Sequence, residues 1–168
     1  MSMRSVTSQA RRGSMMVEFV IVAIPLLFVI VSLWWMCLGM WQYHTVVEAA
    51  NYTARIASVH GAGCAGQTCA TTVASIAQMF AARAIGIPAS QLNVTLTSSA
   101  LTVTCNPLTT CYSNSSSWPS LAANTALTTQ ISIVARFTFS SGLATGLGHS
   151  ASLPTITLAA NATEPVEY

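Results

Sequence analysis

The sequence has 168 residues, of which 52% are hydrophobic and 6% charged, with six Lys+Arg, four Asp+Glu and a formal net charge of +2. All six cations are arginines and all four anions are glutamates. The chain therefore lacks the basic stripe that follows nucleic-acid phosphates, and it lacks the aspartates typical of dense carboxylate metal sites. We expect no nucleic-acid partner, no cofactor, and a surface that is neutral or covered by lipid or protein.

The longest apolar stretch runs from residue 19 to residue 41 and carries no charge. As a helix it would extend about 34 Å, enough for the roughly 30 Å hydrocarbon core of a bilayer. A secretory signal has a shorter apolar core, so the stretch predicts a retained single-pass membrane helix in contact with the lipid bilayer. Pro25 removes one backbone hydrogen bond and predicts a kink in this helix.

Arginines flank the apolar stretch unequally, since Arg11 and Arg12 precede it and the next arginine, Arg55, follows it. The positive-inside bias predicts a cytoplasmic N-terminus and an external C-terminal domain, with everything after about Gln42 on the far side of the membrane. Aromatic residues near the far end are typical of an interfacial belt: Trp34, Trp35, Trp41 and Tyr43.

The N-terminal helix is predicted to run from Ser14 to about His60, with an amphipathic extension over 42–60. Six residues of this extension recur with a period near 3.6 and are expected to face a core: Tyr43, Val46, Val47, Ala50, Ala54 and Ala57. The glycines at 61 and 63 are expected to end the helix.

The external domain, residues 61–168, is predicted to add a second helix and a sheet. Thr71 or Thr72 caps the second helix, and Gly86 with Pro88 ends it. Four segments then alternate apolar and polar residues, at 92–96, 101–105, 131–139 and 156–160, with a long loop over 106–129. The fold class is α+β: a long N-terminal transmembrane helix, a second helix and an antiparallel sheet of about four strands.

Four of the five cysteines form two local pairs, Cys64 with Cys69 and Cys105 with Cys111. An even set in a small exported domain indicates disulfides, and local pairing is favoured over crossed pairing. The alternative is a four-thiolate zinc site, for which these spacings are loose. Cys37, inside the apolar stretch, is expected to be a small buried side chain.

The start of the apolar stretch resembles a type IV prepilin signal, because Arg11-Arg12-Gly13 is followed by four residues and then by Glu18-Phe19. The resemblance implies that a prepilin peptidase cuts between Gly13 and Ser14, which removes a leader of residues 1–13. A carboxylate within hydrocarbon costs about 2.5–3.5 kcal/mol. We therefore hypothesise that Glu18 pairs with the α-amino group of Ser14 on an adjacent subunit.

Residues 11–60 are similar to the minor pseudopilins of the Tad (tight adherence) system, the TadE/TadF-like family. They share the RRG and VEF motifs, the early Pro25 and the polar helix VVEAANYTARIASV, and they depart from it at Met15-Met16 and Trp34-Trp35. The resemblance implies a minor pilin that acts in pilus initiation, assembly or tip formation for adhesion. Its partners would be the prepilin peptidase, other minor and major Tad pilins, and an inner-membrane assembly platform.

Two other classes of function compete with this interpretation. An enzyme would use His60 or His149 with a serine and a glutamate, but the chain has no G-x-S-x-G, H-E-x-x-H or phosphate-loop motif, so we expect no catalysis. A membrane-tethered binding module would present an exposed aromatic, Tyr112 or Trp118, from the 106–129 loop. Alternatively, Trp118 with Pro119 packs that loop down.

Overall fold

A computed structural model describes residues 7–60, 71–99, 101–119, 130–139 and 156–166, with side chains from residue 15 onward. The chain divides into two compact units, Met1–Leu38 and Gly39–Tyr168. The described helices and strands are α1 (Thr7–Val59), α2 (Val73–Arg83), β1 (Leu92–Thr97), β2 (Thr102–Cys105), β3 (Gln130–Phe139) and β4 (Ile156–Pro165). This α+β composition confirms the predicted fold class.

Helix α1 begins at Thr7, seven residues before the predicted start, and ends at Val59, one residue before the predicted end. The early start has a local cause, because Gln9, Ala10 and the two arginines after them are favourable helix formers. Each residue added to an existing helix gains a hydrogen bond, so the helix propagates backward through these residues. It also continues through Pro25 without a break.

The first unit exposes the apolar side chains of α1. Phe19 and Phe28 are each 74% exposed, and the most apolar window of the helix has a mean hydropathy of 2.7. Ser32 donates its hydroxyl to the carbonyl of Phe28 at 2.7 Å, which satisfies a polar group within the apolar segment. Among the described residues, one helix is long and apolar enough to cross a membrane, as in single-pass anchored proteins.

The second unit contains a four-stranded antiparallel sheet in the order β2-β1-β3-β4. Val94 pairs with Ala135, and Ala135 pairs with Ala160, so the inward side chains of three strands lie in one row. All three are buried, and their neighbours two residues away lie on the same face and are buried, except Leu158, which is partly buried. The alternation read in the sequence is therefore the alternation between a core face and an outer face.

The outer face of the sheet is polar and almost uncharged. Ser132 on β3 donates to the side-chain oxygen of Asn161 on β4 at 3.0 Å. Arg136 pairs with Asn93 across β3 and β1, and both side chains are exposed. This face therefore presents hydroxyl and amide groups in place of charged side chains, which agrees with the low charge content of the chain.

The outer part of α1 packs on the core through small residues. Ala49, Ala50, Ala54 and Ala57 are at most 1% exposed, so the core covers the small side chains of this helix face. Thr53 is also buried and donates to the carbonyl of Ala49 at 2.7 Å. The predicted stripe is this buried face, with Tyr43 and Val47 partly buried at its margin.

The segment 106–119, predicted as part of a long loop, is instead an ordered cap on α2. The backbone N–H groups of Val73 and Ala74 donate to the carbonyls of Ser116 and Asn114, both at 2.9 Å. These bonds satisfy donors that the first turn of a helix leaves unpaired. Thr72, one of the two predicted caps, completes the helix start with a reciprocal capping box to Ser75.

Trp118 anchors this segment. Its side chain is fully buried, and its backbone N–H and carbonyl bond to Thr71 at 2.9 Å and 2.7 Å. Tyr112 is partly buried against the core. The exposed aromatic expected for a tethered binding module is therefore wrong for Trp118, which packs the loop down because its large apolar ring gains most by leaving water.

Candidate functional site

The predicted processing and assembly residues lie on consecutive turns of α1. The backbone of Arg11, Arg12, Gly13 and Ser14 is helical, and their side chains fall outside the described part of the structure. Glu18 is exposed and makes no ion pair with a described side chain. Since residues four apart share a helix face, Ser14 and Glu18 lie one turn from each other.

Phe19 and Pro25 follow in the exposed apolar part of α1. The Phe19 ring protrudes from the helix, and Pro25 lies within an unbroken helical segment. Pro25 cannot donate a backbone hydrogen bond, so the kink stays a prediction from its chemistry. Cys37, expected to be a small apolar side chain within the lipid span, is a free cysteine on the outward-facing apolar surface of this helix.

One of the two predicted disulfides is present. Cys105 and Cys111 are bonded, with Cα atoms 5.6 Å apart, and both are buried. The bond ties the end of β2 to the 3-10 helix Leu108–Cys111, within the segment that caps α2. Cys64 and Cys69 lie outside the described residues. Among the described residues no three His, Cys, Asp or Glu side chains group as metal ligands.

A groove of about 690 Å³ in the second unit gathers most of the charges that the structure describes there. Its lining comes from α1, α2 and β4: His44, Val47, Glu48, Asn51, Tyr52, Arg55, Arg83 and Glu164. Glu48 and Arg83 form an ion pair at 3.8 Å, and the Arg83 guanidinium lies 3.5 Å from the centroid of the Tyr52 ring. We call this surface the charged groove.

The described lining of the charged groove includes His44 but not His60. Its described lining contains no serine, threonine or cysteine nucleophile. Of the two histidines considered as catalytic, His60 has Nδ1 2.9 Å from the carbonyl of Ile56 at the end of α1, and His149 lies outside the described residues. The groove holds two positive and two negative side chains, so it offers mixed rather than single-sign charge.

Comparison with protein families identifies the N-terminal helix. Residues 13–55 match the family model described as TadE-like protein. The chain is TadE-like over this segment. The resemblance inferred from the opening motif is thereby confirmed, and it supports a protein associated with a Tad pilus. No curated protein and no solved structure matches the chain.

The TadE-like segment spans well under half of the chain, from Gly13 to Arg55. It contains the predicted cut site, the apolar helix and the α1 residues of the charged groove. The groove itself was missed from the sequence, because Arg83 and Glu164 are far from α1 in the chain. The available signal was the recurrence of polar residues on one α1 face, at positions 44, 48, 51, 52 and 55.

Proposed function

We propose that the protein is a minor pilin, or pseudopilin, of a Tad-type type IV pilus system. A prepilin peptidase removes residues 1–13, and Ser14 becomes the mature N-terminus. The observation that carries the proposal is that the TadE-like match begins at Gly13, the residue before the predicted cut. Residues 14–60 then form the anchor with its packed extension, and residues 61–168 form the external domain.

The exposed apolar face of α1 supports this processing scheme. In the sequence the uncharged apolar stretch 19–41 lies wholly after the cut, so cleavage would remove the leader arginines and keep the anchor. The new α-amino group is positive at neutral pH. A neighbouring subunit's amino group would neutralise Glu18 and fix the register between helices, because a misplaced neighbour leaves the carboxylate unpaired.

The size of the second unit favours a minor over a major subunit. The resemblance implies major Tad pilins that are little more than an apolar helix, and a four-stranded sheet on every subunit is too bulky for such a thin shaft. A subunit of this size fits a role in pilus initiation, in assembly or at the tip, where it would act in adhesion.

Cleavage is tested by the intact mass of the chain extracted from membranes of cells with and without the prepilin peptidase. We expect a chain that begins at Ser14 only when the peptidase is present. Gly13→Leu places a bulky side chain beside the scissile bond and should keep the full-length chain, whereas the leader variant Gln9→Leu should be cut normally. A chain that begins at Met1 in both strains refutes the proposal.

Assembly is tested separately with Glu18→Gln. This variant should be cleaved and membrane-bound, yet absent from the sheared pilus fraction or unable to support pilus formation. Glu18→Asp keeps the carboxylate and should retain part of the function. Normal piliation by Glu18→Gln would remove the pairing hypothesis while leaving the cleavage result intact.

A further inference from the structure

The charged groove is the most distinctive surface of the second unit, because it concentrates charge in a chain that has little. Of the described charged residues beyond α1's apolar part, Arg136 alone lies outside the groove, on the outer face of the sheet. Glu48 and Arg83 side chains are 74% and 42% exposed. Such a cluster is available to a partner and is weakened as a source of internal stability by solvent screening.

The two flanks of the groove carry opposite charges. Helix α2 borders one flank of α1, where Thr45 and Gln42 donate to the carbonyls of Ile85 and Gly86, and Arg83 lies over Tyr52 on this side. At 100° per residue, Gly39 lies about 90° around α1 from the midpoint of Gln42 and Thr45, on the buried face that also carries Ala57, and it faces the ring of Phe139 on β3, away from α2. There the sheet ends in its edge strand β4, which supplies Glu164.

Among the described side chains, Glu164 has no ion-pair partner, although it is only partly exposed. Arg83 has a single, long ion pair to Glu48. A partner surface that carries charges of one sign only would be repelled by the groove residues of the same sign. A fitting partner must present a negative group opposite Arg83 and a positive group opposite Glu164.

A second copy of the same groove meets that requirement. A two-fold axis parallel to α1 turns each flank toward the opposite flank of the partner, so Arg83 of one chain faces Glu164 of the other, twice. In this arrangement the groove-forming parts of the two α1 helices run in the same direction. We propose that the charged groove is a self-complementary interface through which two copies of this chain pair side by side.

The pairing requires a common membrane orientation, and it is independent of cleavage and of incorporation into a filament. Asn51 lies near the middle of the groove and is exposed, so Asn51→Cys on two chains would meet across the axis. Cys37→Ala provides the background, since Cys37 is free and exposed. Asn93→Cys is the matched control, because Asn93 is exposed on the outer face of the sheet.

The experiment treats membranes containing the full chain with a short bis-maleimide and measures the cross-linked product by mass. We expect a product of twice the chain mass for Asn51→Cys, well above the level for Asn93→Cys and for the background. Equal yields for the two asparagine sites would overturn the proposal. A cross-link from Asn51→Cys to a different protein would overturn it as well and would assign the groove to that protein.

Charge reversal then tests the pairing directly. In the Asn51→Cys background, Arg83→Glu or Glu164→Arg turns both cross-chain attractions into repulsions and should lower the dimer yield roughly four- to thirty-fold. Co-expression of the two reversed chains, with different tags, restores both attractions in the mixed dimer. A mixed dimer at parental yield supports the interface, because a defect within one chain is not repaired by another chain. Mixed yields as low as those of the single variants refute it.

Discussion

Alanine at two glycines should change stability in opposite directions. Gly86 follows α2 and has a φ of 87°, a conformation that L side chains rarely adopt. A Cβ at Gly86 would have no atom within 4 Å, so any loss comes from the backbone alone. The left-handed conformation costs a non-glycine residue about 1–2 kcal/mol.

Gly39 lies inside α1, where alanine is favoured over glycine by about 1 kcal/mol. A Cβ there would lie 3.6 Å from Cζ of Phe139, an ordinary van der Waals contact. Gly39→Ala is therefore expected to stabilise the second unit by about 1 kcal/mol. Gly86→Ala is expected to destabilise it by about 1–2 kcal/mol.

The assay is thermal unfolding of the full chain in detergent micelles, followed by circular dichroism. For chains of this length 1 kcal/mol corresponds to a change in Tm of about 2–4 °C. Gly39→Ala should raise the Tm by that amount, and Gly86→Ala should lower it by at least as much. Gly86→Asn is the control, because asparagine tolerates the left-handed region better and should lower the Tm less.

A Tm that fails to change in the expected direction, for either variant, would refute these predictions. A Gly86→Ala variant as stable as the parent would mean that the turn does not need a positive φ. A lower Tm for Gly39→Ala would mean that α1 and β3 approach more closely at Phe139 than 3.6 Å allows.

The same melting experiment checks three further changes. Thr72→Ala removes the side-chain cap of α2 and should cost about 1 kcal/mol; an unchanged Tm would show that the carbonyls of 106–119 suffice. Joint replacement of Cys105 and Cys111 by alanine opens a link between residues six apart and should cost about 2 kcal/mol, and a reductant should lower the parent's Tm by more than the variant's. Trp118→Ala should cost about 3–5 kcal/mol because it empties a fully buried site; a loss below 1 kcal/mol would contradict its anchoring role.

The strands and helices could be read from the sequence because their signals are local. Leu92, Val94 and Leu96 alternate with polar residues, and this alternation predicts a strand with one buried face, whichever strand pairs with it. The capping threonine and Gly86 likewise mark the ends of α2 through their own backbone preferences. The opening motif is local too, and the match over residues 13–55 confirms the TadE-like resemblance that it indicated, whereas the cut after Gly13 stays a prediction.

The ordered conformation of residues 106–119 could not be predicted from the sequence, because their Ser, Thr, Asn and Pro content is that of an ordinary loop. This segment is ordered by contacts with a distant part of the chain. The backbone carbonyls of Asn114 and Ser116 accept hydrogen bonds from the first turn of α2, some forty residues earlier. The charged groove was hidden for the same reason, because Arg83 and Glu164 join α1 only after folding. Contacts between remote segments depend on topology, which periodicity does not encode.

The burial of the alanine face of α1 has a consequence for biogenesis. That face is complete at residue 57, but the strands β3 and β4 that help to enclose the same core lie at residues 130–165. A chain that is synthesised from its N-terminus therefore leaves the alanine face of α1 uncovered by these strands for more than seventy residues of synthesis. A premature stop before β4 would remove Ala160 and Ala162 from this core and leave the alanine face of α1 less completely covered.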